Sequence, residues 1–369
     1  MQQDLVYEIA LSKTKGVGGV MFKQLLNTFG SAKAVFEMPS AKLLKVPNMG
    51  KFTLAKIKES QEALIQAETI VSQSAKNNIR IVTFKQDEYP QKLKGIFEAP
   101  PILFFKGKGH LEYPKTLAIV GTRDASEYGK KSTEEIVTSL KEHHVQIVSG
   151  LAYGIDIAAH KAALKIGLST VGVLANSLET VYPSSHKKVA KEIEETGLLI
   201  SEQPFGTITK PSFFVARNRI IAALADATIV VESARKGGSM VTAEYANNYN
   251  KEVFAIPGGI FQKYSEGPNY LIANNKAQIF TNTEDFVEWM KWNSENGNSR
   301  IIEKEVLDLT KYTQEESKVL SLLMHNGEML IDDLSWHSQI HLNKLASILL
   351  NLEFADLVKQ SPGKKFTLK

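Results

Sequence analysis

The chain has 369 residues, a length that suggests two or three domains, and its 43% hydrophobic and 23% charged residues are typical of a soluble globular protein. Its formal net charge of +4 permits a nucleic-acid partner but does not require one. Because the sequence contains no cysteine, disulfide bonds, thiolate metal sites and thiol catalysis are excluded.

Residues 1–70 predict a small domain of helices joined by glycine turns. The Lys-Gly-Val-Gly-Gly run at 15–19 precedes an amphipathic helix, and residues 46–55 repeat the arrangement with Pro47-Asn48 in place of a leading glycine. Paired helix–hairpin–helix units present backbone N–H groups to nucleic-acid phosphates, and a packing or oligomerisation role is an equal alternative. The segment has no signal-peptide core and no window reaches about 18 apolar residues, so we expect a cytoplasmic protein without a membrane partner.

Residues 79–290 alternate short β-branched runs with helical patterns. The runs are continuously apolar, which indicates parallel strands buried on both faces of a sheet. These runs are TLAIVG, VQIVSG, STVGVL, LLIS, ATIVVE, EVFAIP and AQIF. The pattern predicts an α/β domain with a doubly wound parallel sheet, in which ligands bind outside the carboxyl ends of the strands.

The first two strands end in glycine turns that open helices. The first ends in Gly121-Thr122-Arg123, and Ser126 can cap the next helix, whose first N–H groups would face the same space. The second ends in Ser149-Gly150-Leu151-Ala152-Tyr153-Gly154. A dinucleotide fold usually has an acidic residue there to bind a ribose hydroxyl. The glycine turn in its place argues against NAD and favours several phosphates that approach from different directions.

A third glycine turn follows the fifth strand and adds cations. It reads Ser233-Ala234-Arg235-Lys236-Gly237-Gly238-Ser239, and further upstream Arg217-Asn218-Arg219 comes shortly after Phe213-Phe214. Guanidinium groups can hold the phosphates of a single strand while aromatic rings stack on its bases. Each feature alone has a plainer explanation: glycines for tight packing, arginines at solvated helix ends and phenylalanines in the core. The functional interpretation requires that the turns share one rim and that no carboxylate holds the arginines inward.

Motifs of the common enzyme classes are missing. The chain has no Gly-x-x-x-x-Gly-Lys-Ser/Thr loop, no His-Glu-x-x-His zinc motif and no Gly-x-Ser-x-Gly nucleophile turn. Asp156 and His160 supply only two ligands, one short of what a catalytic zinc needs. We therefore predict no catalytic residue, no metal site and no cofactor.

The carboxyl-terminal part predicts a linker and a second small domain. Residues 291–304 are rich in Asn, Ser and Gly, as linkers are. Residues 305–369 predict a winged helix, with a turn at Asn326-Gly327 and a final hairpin formed by LVKQ and KFTL. Its third helix carries one cation, Lys344, whereas helices that read a DNA groove are normally richer in polar and basic residues. The pattern therefore favours contact with protein over duplex recognition.

Between residues 80 and 290 the chain resembles the DNA processing protein A family, DprA, also called Smf. The motifs occur in the family's order: AIVGTRDASEYG, VSGLAYGIDIAAHKAAL, VYPSS, GLLISEQPFG, ARNRIIAAL, GGSMVTAEYA and VFAIPGG. The resemblance implies an extended Rossmann-like domain that forms a homodimer and carries a DNA pocket. It also implies a non-enzymatic binder of single-stranded DNA, independent of sequence, that protects incoming strands in natural transformation and loads a RecA-type recombinase.

The resemblance also indicates which residues form the DNA pocket. Those carried over from the family motifs are Arg123, Ser149, Gly150, Gly154, Arg217, Arg219, Gly238 and Ser239. Neighbours on the same turns and helix complete the candidate DNA-binding set: Gly121, Phe214, Asn218 and Lys236. The chain departs from the family pattern at Leu174-Ala175-Asn176-Ser177, where a glycine turn is usual, at Val215, where proline is usual, and at Asn275, where glycine is usual.

Two other functions are compatible with parts of the pattern. Related Rossmann folds include nucleotide-processing phosphoribohydrolases, and Gly237, Gly238, Thr242 and Glu244 fit their glycine turn loosely. Glu244 would then be a general acid or base near a ribose, although an exposed glutamate at the start of a helix is the simpler explanation. A transcriptional regulator acting through the winged helix would require sequence-specific duplex binding, which the cation-poor third helix disfavours.

Overall fold

The computed structural model describes residues 2–292, 312–327, 329–338, 340–355, 357–361 and 365–368. The chain divides into two compact units, Met1–Ser294 and Glu295–Lys369, which are described separately. The predicted linker, residues 291–304, lies outside the described residues from position 293 onward. Among the described residues, no helix is long and apolar enough to cross a membrane.

The amino-terminal part of the first unit is helical, and two of its hairpins are built alike. Its helices are α1 (Gln2–Lys13), α2 (Gly19–Phe29), α3 (Ala32–Glu37), α4 (Ser40–Leu43), α5 (Lys51–Lys58) and α6 (Gln61–Lys76). Gly16 takes a left-handed conformation (φ 93°) in the turn before α2, and Asn48 takes one (φ 64°) in the turn before α5. Asparagine tolerates this region, so the second turn forms without the leading glycine.

These helices pack on the sheet of the same unit. Phe22 and Leu26 of α2 lie in one hydrophobic cluster with the sheet residues Ile102, Phe104 and Leu199. Residues 1–70 and 79–290, predicted as separate domains, therefore share a core within one compact unit.

The strands of the first unit form a single, mostly parallel sheet. They are β1 (Arg80–Thr83), β2 (Ile102–Lys106), β3 (Thr116–Val120), β4 (Gln146–Ser149), β5 (Thr170–Val173), β6 (Leu198–Ser201), β7 (Ala227–Val230), β8 (Glu252–Ala255) and β9 (Gln278–Ile279). Their order is β1-β2-β6-β5-β4-β3-β7-β8-β9. The predicted runs form the parallel strands β3 to β9, whereas β1 and β2 are an antiparallel addition at one edge.

Helices connect the parallel strands in two directions from the middle of the sheet. α7 (Gln91–Lys94) lies between the antiparallel strands β1 and β2, and α14 (Thr283–Trp289) follows β9. The connecting helices are α8 (Glu127–Ser139), α9 (Ile155–Ile166), α10 (Lys187–Thr196), α11 (Pro211–Leu224), α12 (Gly238–Asn248) and α13 (Glu266–Ala273). From β3 the chain proceeds outward to β6, then returns through α11 to β7 on the other side of β3. The topological switch point therefore lies between β3 and β7, which confirms the doubly wound, extended Rossmann-like prediction.

The second unit has the element order of a winged helix. It contains α15 (Gln314–Asn326), β10 (Met329–Leu330), α16 (Ile331–Ser338), α17 (Leu342–Phe354), β11 (Val358–Ser361) and β12 (Lys365–Leu368). The strands form an antiparallel sheet in the order β10-β12-β11. Lys344, the single cation of α17, forms an ion pair with Glu315 of α15 at 2.6 Å. The tip of the predicted hairpin, residues 362–364, lies outside the described residues.

A buried histidine links α9 to the sheet. His160 is fully buried, and its Nδ1 lies 2.7 Å from the Thr170 hydroxyl of β5. Burial lowers the pKa of His160 to about 3, so the folded protein holds this imidazole neutral. The unfolded chain, with an ordinary histidine pKa of about 6.5, binds the proton more readily. This histidine therefore contributes stability above pH 6.5 that is lost as the pH falls toward 3.

We predict that the unfolding free energy of His160→Asn depends less on pH than that of the wild type. Asparagine can hydrogen-bond Thr170 but does not titrate. Between pH 6.5 and 5, the wild type should lose about 2 kcal/mol more unfolding free energy than the variant. Denaturant unfolding at several pH values measures both slopes, and equal slopes would contradict the assignment.

Candidate nucleic-acid interface

The turns after β3, β4 and β7 share one rim, as the sequence interpretation required. They surround a cavity of about 340 Å³ at the switch point. The candidate residues that line it are Gly121, Arg123, Phe214, Arg217, Asn218, Gly238 and Ser239. The rim is continuous, but the three turns differ in what their backbone amides bind.

The first turn is already occupied by a carboxylate of the protein itself. Ser126 caps α8, and its Oγ accepts a hydrogen bond from the Gly129 amide at 3.1 Å. The buried Glu232 side chain accepts from the Ser126 amide at 2.9 Å and from the Ser126 hydroxyl at 2.5 Å. The amides of Ser126 and Gly129 at the start of α8 are therefore bound within the protein and not available to a ligand.

The second turn also closes on a carboxylate. Asp156 Oδ2 accepts hydrogen bonds from the amides of Gly150 at 3.1 Å and Ala152 at 3.4 Å. Burial raises the pKa of Asp156, while the charge of Arg217 and these two amides oppose the rise. These amides are therefore not available to a ligand, and this turn contributes a wall of the cavity.

Arg217 is an internal brace between strand ends. Its side chain is buried, and its Nη1 donates to the carbonyl of Gly150 at 2.6 Å and to the carbonyl of Val173. Burial lowers the pKa of Arg217 to about 10, so the guanidinium remains charged at neutral pH. A Cβ at position 150 would overlap both this guanidinium and the Asp156 carboxylate. The brace therefore requires glycine there and ties the ends of β4 and β5 together.

Within the described residues, the third turn leaves the first two amides of its helix without an acceptor. Gly237 precedes α12 with an extended backbone (φ −76°, ψ 159°) and provides no side-chain cap. In the part of the chain that the structure describes, no acceptor binds the amides of Gly238 and Ser239, and both residues line the cavity. Unpaired amides at the positive end of a helix dipole favour an anion. The start of α12 therefore has the geometry of an anion-binding helix terminus.

An exposed arginine lies on the same rim. The Arg123 guanidinium lies over the Phe214 ring, 5.5 Å from its centroid, and within the described residues it has no carboxylate at ion-pair distance. Asn218 donates to the Gly238 carbonyl at 3.1 Å and so links α11 to the third turn. Arg123 and the start of α12 thus offer a charged side chain and backbone amides to the same space.

Several predicted residues do not face the cavity. Arg219 points away from it and forms an ion pair with Glu202 at 2.5 Å, because positions two apart on a helix lie on different faces. Ser149 is fully buried and donates to the Ile119 carbonyl at 2.6 Å. Lys236 is exposed on the third turn but does not line the cavity. Within the described residues, a carboxylate therefore holds Arg219, two backbone carbonyls hold Arg217, and Arg123 remains exposed at the cavity.

The sequence analysis missed three tyrosines near the rim. Tyr264 lines the cavity, and its hydroxyl donates to Asp124 at 2.9 Å. Tyr153 and Tyr182 lie with Phe214 around a smaller adjoining recess. The last two stand inside the motifs VSGLAYGIDIAAHKAAL and VYPSS, and for Tyr153 the position within a glycine turn was the available signal.

The departures from the family pattern have local explanations. Asn176 closes its turn by donating to the carbonyls of Ser177 at 2.9 Å and Thr180 at 2.6 Å. Asn275 takes a left-handed conformation (φ 54°), as the expected glycine would. Val215 is 51% exposed and lines the cavity. The cavity thus forms with these residues in place.

Comparisons with known proteins agree with this architecture. A model of the family described as DNA recombination-mediator protein A matches residues 80–291, and a DprA winged helix domain matches residues 308–364. The Synechocystis protein Smf is 33% identical over 282 residues, which are 75% of this chain and 71% of the relative.

Two solved structures are also similar. DNA processing protein A from Streptococcus pneumoniae has a TM-score of 0.67 and 32% identity, covering 77% of this chain and 97% of that one. DNA processing protein A from Helicobacter pylori has a TM-score of 0.52 and 31% identity, covering 57% of this chain and 95% of that one. That second structure is described as showing a single-stranded DNA binding mode.

The fold and its cavity place the chain among doubly wound α/β proteins with a ligand cavity at the switch point. The sequence matches are more specific than this class. The chain belongs to the DNA recombination-mediator protein A family, also called DprA or Smf, with a winged helix at its carboxyl-terminal end.

We predict that Gly154→Ala disrupts the rim whereas Gly167→Ala does not. Both glycines have positive φ, 75° and 79°, but they differ in ψ. Gly167 (ψ 18°) is left-handed, where alanine costs about 1–2 kcal/mol, whereas Gly154 (ψ −120°) lies outside that region and suits alanine still less. A Cβ at Gly154 would also overlap the carbonyl of Thr122 beneath the first turn, while Gly167 faces open space. The unfolding free energy should fall by about 3 kcal/mol or more for Gly154→Ala only. Equal losses in thermal or denaturant unfolding would contradict the packing argument.

We predict that Arg217→Met destabilises the fold and Arg123→Met does not. The first change leaves two buried carbonyls unpaired and Asp156 without its neighbouring cation, which should cost about 3 kcal/mol of unfolding free energy. The second removes an exposed guanidinium and should change stability by less than about 0.5 kcal/mol. Denaturant unfolding of the two matched variants distinguishes an internal brace from a surface ligand.

Proposed function

We propose that this protein binds single-stranded DNA independently of sequence, with a backbone phosphate at the start of α12. The proposal rests mainly on one observation: within the described residues, the amides of Gly238 and Ser239 are unpaired and face the same cavity as Arg123. Family membership supports the choice of ligand, since a relative from Helicobacter pylori is described as binding single-stranded DNA.

The first two turns shape this site instead of adding phosphates to it. Their amides bind the internal carboxylates Glu232 and Asp156, which would repel a phosphate that came close. A phosphate is therefore directed toward the open amides of the third turn and the Arg123 guanidinium. These groups would contact the phosphate backbone of the DNA and not the edges of its bases, which suits binding without sequence preference.

We further propose the cellular role that the family implies. The protein would protect incoming single strands during natural transformation and help load a RecA-type recombinase on them. The second unit would bind another protein and not duplex DNA, because Lys344, the single cation of α17, forms an ion pair with Glu315.

A homodimer would form at β9, which ends the described sheet and leaves Ile279 and Trp289 about half exposed.

We propose a binding role and not a catalytic one. The phosphoribohydrolase alternative assigns acid–base chemistry to Glu244, but that side chain is exposed on α12 and does not line the cavity. The carboxylates that do lie at the turns, Glu232 and Asp156, are hydrogen-bonded to the chain's own amides.

We predict that Arg123→Ala weakens binding of single-stranded DNA about tenfold, because one charge-assisted phosphate contact is lost. The slope of log affinity against log salt should become shallower by about 0.7, the value for one phosphate contact on a single strand. Fluorescence anisotropy with a labelled oligonucleotide across a salt series measures both quantities.

The matched control is Arg235→Ala. This guanidinium is also exposed and also lies over an aromatic ring, Tyr270 at 4.5 Å, but it does not line the cavity. Its removal should leave affinity and slope within about twofold of the wild type. Equal effects of the two substitutions would refute a localised phosphate site, and absence of binding by the wild type would refute the function.

A further inference from the structure

Three aromatic side chains form a wall beside the phosphate-binding cavity. The aromatic wall consists of Tyr153 on the second turn, Tyr182 after β5 and Phe214 on α11, which surround one recess. Tyr153 is 48% exposed and Tyr182 is 54% exposed. Large aromatic rings are usually well buried, so two half-exposed tyrosines side by side at a cavity indicate a surface that contacts a ligand.

The wall is held in place by contacts on its protein side. Tyr182 packs edge-on against Phe214, with ring centroids 5.4 Å apart. Tyr153 packs edge-on against the buried His186 ring at 4.9 Å, and Ser185 donates to its hydroxyl at 3.2 Å. The rings are therefore supported from behind while about half of each tyrosine surface remains open. Such preorganised faces lose little conformational entropy when a flat ligand stacks on them.

The wall is continuous with the cavity at the switch point. Phe214 borders both the recess and the cavity, and Arg123 lies over its ring. A strand with a phosphate near Arg123 therefore has aromatic faces next to it, on the side of the sheet that leads from β4 toward β5. A DNA strand alternates phosphates with bases, so a binding surface needs a cation and an aromatic ring next to each other.

We infer that the aromatic wall stacks the bases adjacent to the bound phosphate and thereby selects single strands over duplexes. This inference rests on the proposed function. In a duplex the bases are stacked on one another and paired, so their faces cannot reach the rings, whereas in a single strand they can. The start of α12 and Arg123 contact backbone, which both forms of DNA possess. The preference for single-stranded over duplex DNA is therefore assigned to Tyr153 and Tyr182.

The test combines protein variants with two DNA probes. The variants are Tyr153→Ala, Tyr182→Leu and their double, with Tyr128→Ala as the matched control. Tyr128 is 53% exposed, and its hydroxyl is 3.3 Å from the Pro257 carbonyl, outside the recess. The probes are an oligothymidine of about 20 nucleotides and an abasic strand of the same length, which keeps sugar and phosphate but lacks bases.

The inference predicts a loss that depends on the bases. Each single wall variant should bind oligothymidine about tenfold more weakly than the wild type, because one stacked base is lost. The same variants should bind the abasic strand as the wild type does, and Tyr128→Ala should match the wild type on both probes. Arg123→Ala, by contrast, should weaken binding of both probes.

A duplex of the same length provides the second readout. The double variant should retain the wild type's duplex affinity, so its preference for single strands should fall by at least about tenfold. Wild-type-like oligothymidine binding by the double variant, or equal losses on the oligothymidine and abasic probes, would overturn the inference while leaving the proposed function intact. Failure of the wild type to bind oligothymidine would overturn the proposed function itself. Circular dichroism of each variant checks that the fold is retained.

Discussion

The arrangement of the rim depends on a buried cation. Arg217 joins the carbonyls at the ends of β4 and β5, and the Asp156 carboxylate beside it binds the amides of the same turn. A buried charge must be compensated by hydrogen bonds and nearby opposite charge, so these backbone hydrogen bonds hold the second turn in one conformation. Glu232 does the same for the first turn at the start of α8. Two internal carboxylates thus fix the geometry of the first two turns, while the amides of Gly238 and Ser239 at the start of α12 have no acceptor within the described residues.

The internal and surface charges of the rim have different roles in the proposed binding of single-stranded DNA. The interior charges are satisfied within the protein and supply rigidity. The surface groups, Arg123 and the amides of Gly238 and Ser239, remain for a phosphate, and the aromatic wall lies beside them. Since the proposed phosphate contacts are few and local, affinity for a long strand would come from repeated engagement along its length.

The sequence was sufficient for the sheet and for the position of the cavity, because continuous apolar runs separated by helices allow few topologies. It did not indicate β1 and β2, which lie outside that strand–helix alternation. It assigned Arg217 and Arg219 one role although they lie on different faces of α11. Periodicity locates a residue along an element, but whether a charge points inward depends on partners distant in sequence. Glu202 is such a partner of Arg219, and the Val173 carbonyl is one of Arg217.

The claim that only the third turn receives the phosphate can be measured residue by residue. Amide resonances of the isotope-labelled protein can be followed by NMR during titration with a short single-stranded oligonucleotide. The account predicts the largest shifts at Gly238 and Ser239 and small shifts at Gly129 and Ala152, whose turns are occupied by Glu232 and Asp156. Large shifts at Gly129 or Ala152, with Gly238 and Ser239 unmoved, would contradict it.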